Sequence, residues 1–138
     1  MMSTPILGAE FSALVGTSAT LTHTVTAEDS AKNWGNDLDV LSTPVLLWLS
    51  EITAMKVIES VVFASAMTVG LAHDSAHLAP TLTGDTVTIT ATLTGIDGKK
   101  LTFSVEGRDS HGAVLRGVHR RAVVNREEFI EKLAARSA

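Results

Sequence analysis

The sequence predicts an α+β domain in which an antiparallel sheet curls around one long apolar helix. Three observations carry this reading. From Thr43 to about Val61 the chain is apolar around most of a helical circumference, so the helix must be buried along much of its length. One alternating strand precedes it, and nearly everything after it repeats with a period of two. The later strands are joined by short connections rich in turn residues, which suits antiparallel neighbours.

The elements follow in order. Residues 1–15 read as a loosely ordered extension of a single domain that spans the whole chain. Near Ser18–Thr26, Leu21, His23 and Val25 alternate with threonines, as in a half-buried strand. Ala27–Leu41 is acidic and polar and reads as a loop, with Trp34 as its one aromatic, placed as an anchor or as part of a lid over a site. Thr43-Pro44 starts the helix, since a Thr hydroxyl can cap a helix and Pro is favoured in its first turn. Val45, Leu46, Leu47, Trp48, Leu49, Ile52, Met55 and Val57 make it apolar, and Thr53, Lys56, Glu59 and Ser60 form a narrow polar stripe. Ala66–Ala79 is a long irregular strand, in which Gly70 marks a bulge or a close approach. Thr86–Thr94, Leu101–Glu106 and Val114–Val124 complete the sheet, with turns at Asp97-Gly98 and Asp109–Gly112. Asn125-x-x-Glu128 has the pattern of a capping box and opens a C-terminal helix. A sheet wrapped around one helix is the hotdog architecture; an ordinary α+β sandwich is the competing arrangement.

Composition narrows the function. With 138 residues, 45% of them hydrophobic, the chain suits one globular domain. A net charge of −4 without a basic run excludes a nucleic-acid surface. Without Cys there is no thiol nucleophile, disulfide scaffold or zinc-cysteine site. Met1–Gly16 lacks the basic start of a secretory signal, and Glu51, Lys56 and Glu59 interrupt the apolar helix, so neither export nor a membrane span is expected and the cytoplasm is. A nearly all-round apolar helix in a chain with few aromatics predicts a homodimer or higher homo-oligomer.

Glu51 is the most informative single residue. Its helical neighbours Leu47, Trp48, Ala54 and Met55 are all apolar, a costly place for an unpaired carboxylate. It reads either as a general base or nucleophile, with basicity raised by desolvation, or as the edge of a subunit interface. The Thr43 hydroxyl reads as a helix cap or as a group acting on substrate. His77 stands where a strand ends, His119 lies within a strand beside Arg120 and Arg121, and His111 sits in a polar turn facing water. Alternation puts Arg116 and Arg120 on one face and Arg121 on the other. His73 and His77, four apart on a strand, do not suit a metal. Gly-x-Ser-x-Gly and phosphate-binding glycine loops are absent.

Taken together, Leu41-Ser42-Thr43-Pro44 with Glu51, Thr68-Val69-Gly70, His77-Leu78-Ala79-Pro80-Thr81 with Gly84, and Gly117-Val118-His119-Arg120-Arg121 resemble the motifs of thioesterases related to fluoroacetyl-CoA thioesterase. The resemblance runs from about Gly16 to Leu133. It implies a hotdog fold, an acyl-CoA substrate of short or medium chain, and no metal or bound redox cofactor. It implies catalytic roles for Thr43, Glu51 and His77, a backbone N–H from Gly70 for the thioester carbonyl, and His119 and Arg121 lining or supporting the acyl site. A hotdog dehydratase or hydratase and a non-catalytic acyl-CoA-binding module are the alternatives. A freely titrating His77 would give a pH–rate limb near ~6.5. One geometric difficulty follows: eight residues of regular helix rise ~12 Å, so Thr43 and Glu51 cannot touch within one helix.

Overall fold

The computed structural model describes residues 9–62 and 66–137. Its elements are α1 (Ala9–Ser12), β1 (Ser18–Thr24), α2 (Thr43–Ile58), β2 (Ala66–His77), β3 (Thr86–Asp97), β4 (Lys100–Asp109), β5 (Gly112–Asn125) and α3 (Arg126–Ser137). The five strands form one antiparallel sheet in the order β1-β3-β4-β5-β2. The expected loose extension at 1–15 lies partly outside the described residues. Within them, α1 forms a helical turn and Phe11 is buried in the core.

The alternation read from the sequence sets the inner face of the sheet. Val87, Ile89, Ala91 and Leu93 of β3, Leu101, Phe103 and Val105 of β4, and Leu115, His119 and Val123 of β5 are all buried. Against them α2 packs Leu46, Leu49, Ala54, Val57 and Ile58. Thr53, expected on the polar stripe, is instead fully buried. Its hydroxyl donates to the Leu49 carbonyl at 2.7 Å, which satisfies it within the helix. The opposite face of α2 leaves Trp48 57% and Met55 37% exposed, so the apolar circumference is only half used within one chain.

The turns follow their chemistry. β3 and β4 are joined through Gly98-Lys99, with Gly98 at φ 60°, the left-handed first position where a hairpin wants Gly. At the β4–β5 turn, Asp109 Oδ1 accepts from the backbone N–H groups of His111 and Gly112. Asn125 caps α3 by accepting from Glu128 N–H at 3.0 Å.

Two local features position the residues of interest. The polar segment before α2 winds through two 3₁₀ turns, Ala27–Asp29 and Ala31–Trp34. It is stitched down by Ser42 N–H to Asp29 O and by Leu41 N–H to Thr81 O, so the start of α2 is held beside the end of β2. Trp34, expected as an anchor, is 60% exposed and is not buried against any of the described residues. In β2 the register against β5 shifts between Gly70 and Ala72, leaving Leu71 as the extra residue of a bulge. Before the bulge Thr68 and Gly70 face inward; after it His73, Ser75 and His77 are the more buried residues and Ala72, Asp74 and Ala76 the exposed ones.

Candidate active site

The side chains of interest form two groups. In the first, Thr43 Oγ1 lies 2.7 Å from His77 Nδ1. The cap position of α2 belongs to Ser42, which has extended backbone angles, and Thr43 is the first helical residue. The expectation that Thr43 caps the helix is therefore corrected: its hydroxyl is spent on His77. Burial pushes the His77 pKa below its ordinary value, since desolvation penalises the imidazolium. This corrects the freely titrating histidine assumed from the sequence. His77 Nε2 is buried and meets no hydrogen-bond partner among the described residues. The pair opens into a cavity of about 300 Å³ lined by Val40, Leu41, Leu78, Ala79 and Pro80.

The second group surrounds Glu51. Arg121 Nη1 donates to Oε1 at 2.8 Å, and His73 Nε2 lies 3.2 Å from Oε2. Arg121, almost fully buried, is itself fixed by Nε to Thr68 Oγ1 at 3.0 Å and by Nη2 to Thr68 O at 3.1 Å. His119 is fully buried. Its Nδ1–H donates to the Ala72 carbonyl at 3.0 Å, which leaves Nε2 to accept from Arg121 Nη1 at 3.1 Å. The rings of His73 and His119, directly opposite in the β2–β5 register, stack with centroids 4.1 Å apart. Glu51, Gly70, Leu71, Ala72, His73 and His119 line a second cavity of about 470 Å³. Glu51, His73 and His119 bring three donor atoms within 4.8 Å of one another. The cation that sits among them is the Arg121 guanidinium.

The electrostatics differ from the sequence expectation at Glu51. Burial does raise its pKa, but hydrogen bonds from His73 and Arg121 and the nearby positive charge outweigh it, and the net shift is downward. Glu51 is therefore a stable carboxylate rather than a strengthened base. Burial also lowers His119, from the usual 6.5 to about 4, with His73 and Arg121 acting in the same direction.

The His119 shift makes a stability prediction. Below pH 6.5 the unfolded chain binds a proton that folded His119 refuses, so stability is full above that pH and falls as pH drops toward about 4. The loss should approach about 3 kcal/mol across that window, with His77 adding in the same direction. Urea unfolding from pH 7 to pH 4 should show the slope, and His119→Phe should flatten it.

Gly70 completes this group. A Cβ there would lie 2.9 Å from Glu51 Oε1 and 3.5 Å from Arg121 Nη1. Because Arg121 pins that oxygen, Gly70→Ala should displace the carboxylate and cut turnover about 100-fold with little change in melting temperature. Normal kinetics in a folded Gly70→Ala would show that this close approach is unimportant.

Of the residues singled out in the sequence, Thr43 and His77 meet, and Glu51, Gly70, His119 and Arg121 meet. The two groups do not meet each other. Thr43 and Glu51 are eight residues apart on the regular helix α2, ~12 Å along its axis; the idea that the chain folds back after Thr43 is thereby removed. Sequence reasoning underrated His73, Thr68 and the Ala72 carbonyl. The signal was available at Gly70: a bulge there shifts the alternation by one and turns His73 and His77 to the same face as Thr68 and Gly70.

The chain is similar to known proteins in both sequence and fold. A family model described as fluoroacetyl-CoA-specific thioesterase matches residues 25–127. Fluoroacetyl-CoA thioesterase of Streptantibioticus cattleyicolor is 30% identical over 95 residues, covering 69% of this chain and 68% of that protein. A solved hot-dog-like protein from Thermanaerovibrio acidaminovorans superposes with a TM-score of 0.86 at 26% identity, covering 94% of this chain and 98% of that one. A single-residue variant of the fluoroacetyl-CoA-specific thioesterase superposes with a TM-score of 0.83 at 25% identity, covering 88% of this chain and 96% of that one. The antiparallel sheet around α2, the order of the motifs and these matches agree: the chain belongs to the fluoroacetyl-CoA-specific thioesterase family and is a hotdog-fold thioester hydrolase.

Proposed function

We propose that this protein hydrolyses a short or medium acyl-CoA to the free acid and coenzyme A, as a homodimer whose active site joins Thr43 and His77 of one protomer to Glu51 and Gly70 of its partner. The observation that carries the reading is the division of the reactive side chains into two hydrogen-bonded groups, each beside its own cavity. Separated by ~12 Å along α2, they do not converge on one carbonyl carbon within a chain. The half of α2 that carries Trp48 and Met55 faces away from its own sheet, and β2 is an edge strand, so both await a covering surface. A relative 25% identical has been solved with fluoroacetate and CoA bound.

In this reading the Gly70 N–H polarises the thioester carbonyl. The Glu51 carboxylate, charged at working pH, attacks the carbonyl carbon; the C–S bond breaks and coenzyme A leaves as a thiolate. Water then opens the resulting anhydride, its proton passing to His77 and on to the thiolate, and Glu51 is regenerated. Thr43 fixes the tautomer: with its oxygen accepting from Nδ1–H, His77 keeps Nε2 free as a base. Arg121 and His119 support Glu51 from behind. Neither metal nor bound redox cofactor takes part, and coenzyme A enters only as part of the substrate. Near Trp34 the surface also carries Glu28 and Asn33, which suits acyl groups other than fluoroacetyl.

A thiol-release assay over a panel of acyl-CoAs, fluoroacetyl-CoA included, tests the activity. Thiol release with first-order dependence on enzyme is expected. Conversion without thiol would indicate a hydratase or dehydratase, and binding without turnover an acyl-CoA-binding module. Sedimentation should give a dimer; a stable, active monomer at micromolar concentration would overturn the shared site.

A further inference from the structure

We propose that His73 is a positioning residue for Glu51: it fixes one carboxylate oxygen while Arg121 fixes the other, and so sets which lone pairs face the cavity. The inference rests on the reading of Glu51 as the reacting carboxylate.

The geometry requires a particular form of the ring. To donate to Oε2 at 3.2 Å, Nε2 of His73 must carry hydrogen. Nδ1 of the same ring is buried and meets no hydrogen-bond partner among the described residues. As a bare lone pair that atom is tolerable; as an N–H it would be an orphaned buried donor, and its charge would lie against the His119 ring 4.1 Å away. His73 therefore meets Glu51 as an Nε2–H donor. The stack on His119 holds the plane of the ring, and His119 is held in turn by the Ala72 carbonyl and Arg121. The titratable or charged groups facing Glu51 are His73 from β2 and His119 and Arg121 from β5; on α2 the next charges are the exposed Lys56 and Glu59. Arg121 alone would leave the carboxylate free to rotate about its bond to Oε1. With a second donor at Oε2, both oxygens are tied and rotation stops. A misplacement of about 1 Å at a reacting group typically costs about 100-fold in rate.

Two variants isolate the hydrogen bond from the packing. His73→Leu fills the space without a donor, whereas the amide nitrogen of His73→Gln reaches the position of Nε2. In His73→Leu we expect kcat to fall about 10- to 100-fold with KM nearly unchanged, and the acid limb of the pH–kcat profile to move to higher pH because Glu51 has lost a donor. His73→Gln should recover most of both. Carbon-13 NMR titration of the Glu51 carboxyl should show the same upward movement in His73→Leu and its reversal in His73→Gln, whatever the substrate. Unchanged kcat and an unchanged Glu51 titration in His73→Leu would overturn the proposal. Equal losses in both variants would overturn it too, assigning the effect to ring packing. If the wild-type protein released no thiol while the NMR titration moved as expected, the thioesterase reading would fail and the placement of Glu51 by His73 would stand.

Discussion

Replacing Glu51 with Gln should slow acyl-CoA hydrolysis by about 10²- to 10⁴-fold while leaving a folded protein. The amide keeps the shape, and its oxygen can still accept from Arg121 Nη1, but it neither attacks a carbonyl nor takes a proton. Retention of that acceptor matters because Arg121 is almost fully buried, and breaking a buried pair outright costs about 3–5 kcal/mol. Glu51 itself is about a third exposed, 32%, so water offsets part of that loss in Glu51→Ala. Glu51→Gln should therefore melt closer to wild type than Glu51→Ala, with both variants inactive. A folded Glu51→Gln with near-normal turnover would make Glu51 structural and remove the proposed chemistry.

His77→Ala should be nearly as damaging, about 100-fold or more in kcat, because no other described side chain pairs with the Thr43 hydroxyl. His111→Ala is the control: that residue is exposed at the β4–β5 turn and uses only its backbone N–H there. A base must be neutral, so the rate falls as pH drops through the His77 pKa. Burial moves that pKa down, and the acid limb attributable to His77 should lie below the ordinary 6.5 and vanish in His77→Ala. A normal rate in His77→Ala would leave the family membership as a matter of fold and ancestry alone. Equal losses in His77→Ala and His111→Ala would indicate general destabilisation.

Most of the fold was legible because period-two alternation over β3, β4 and β5 fixes both strand and face, and because a helix as apolar as α2 has few places to lie. The turn at Asp109–Gly112 and the Asn125 cap were legible because their side chains act on adjacent backbone. What was less legible depended on partners far along the chain. Whether Thr43 caps a helix or meets His77 is decided by the loop that brings Thr81 against Leu41. Whether the Glu51 carboxyl is raised or lowered is decided by Arg121, seventy residues on, and by His73. Thr53 looked polar in a helical wheel, yet its hydroxyl needs only the carbonyl one turn back, which permits full burial. Trp34 looked like an anchor on residue type alone, and only its exposure says otherwise.

The extra residue at Leu71 bears on how members of such a family diverge. In a strand whose alternate residues face opposite ways, a change of length is a change of parity. Leu71 is the exception: it is the residue of β2 without a partner on β5, and its loss would leave Thr68, Gly70, His73, Ser75 and His77 facing inward in plain alternation. Loss of a second codon, that of Ala72, would turn His73, Ser75 and His77 outward, although percentage identity would scarcely register it. Working and silent descendants of this fold would therefore be told apart better by odd or even gaps in β2 than by how many of its residues match.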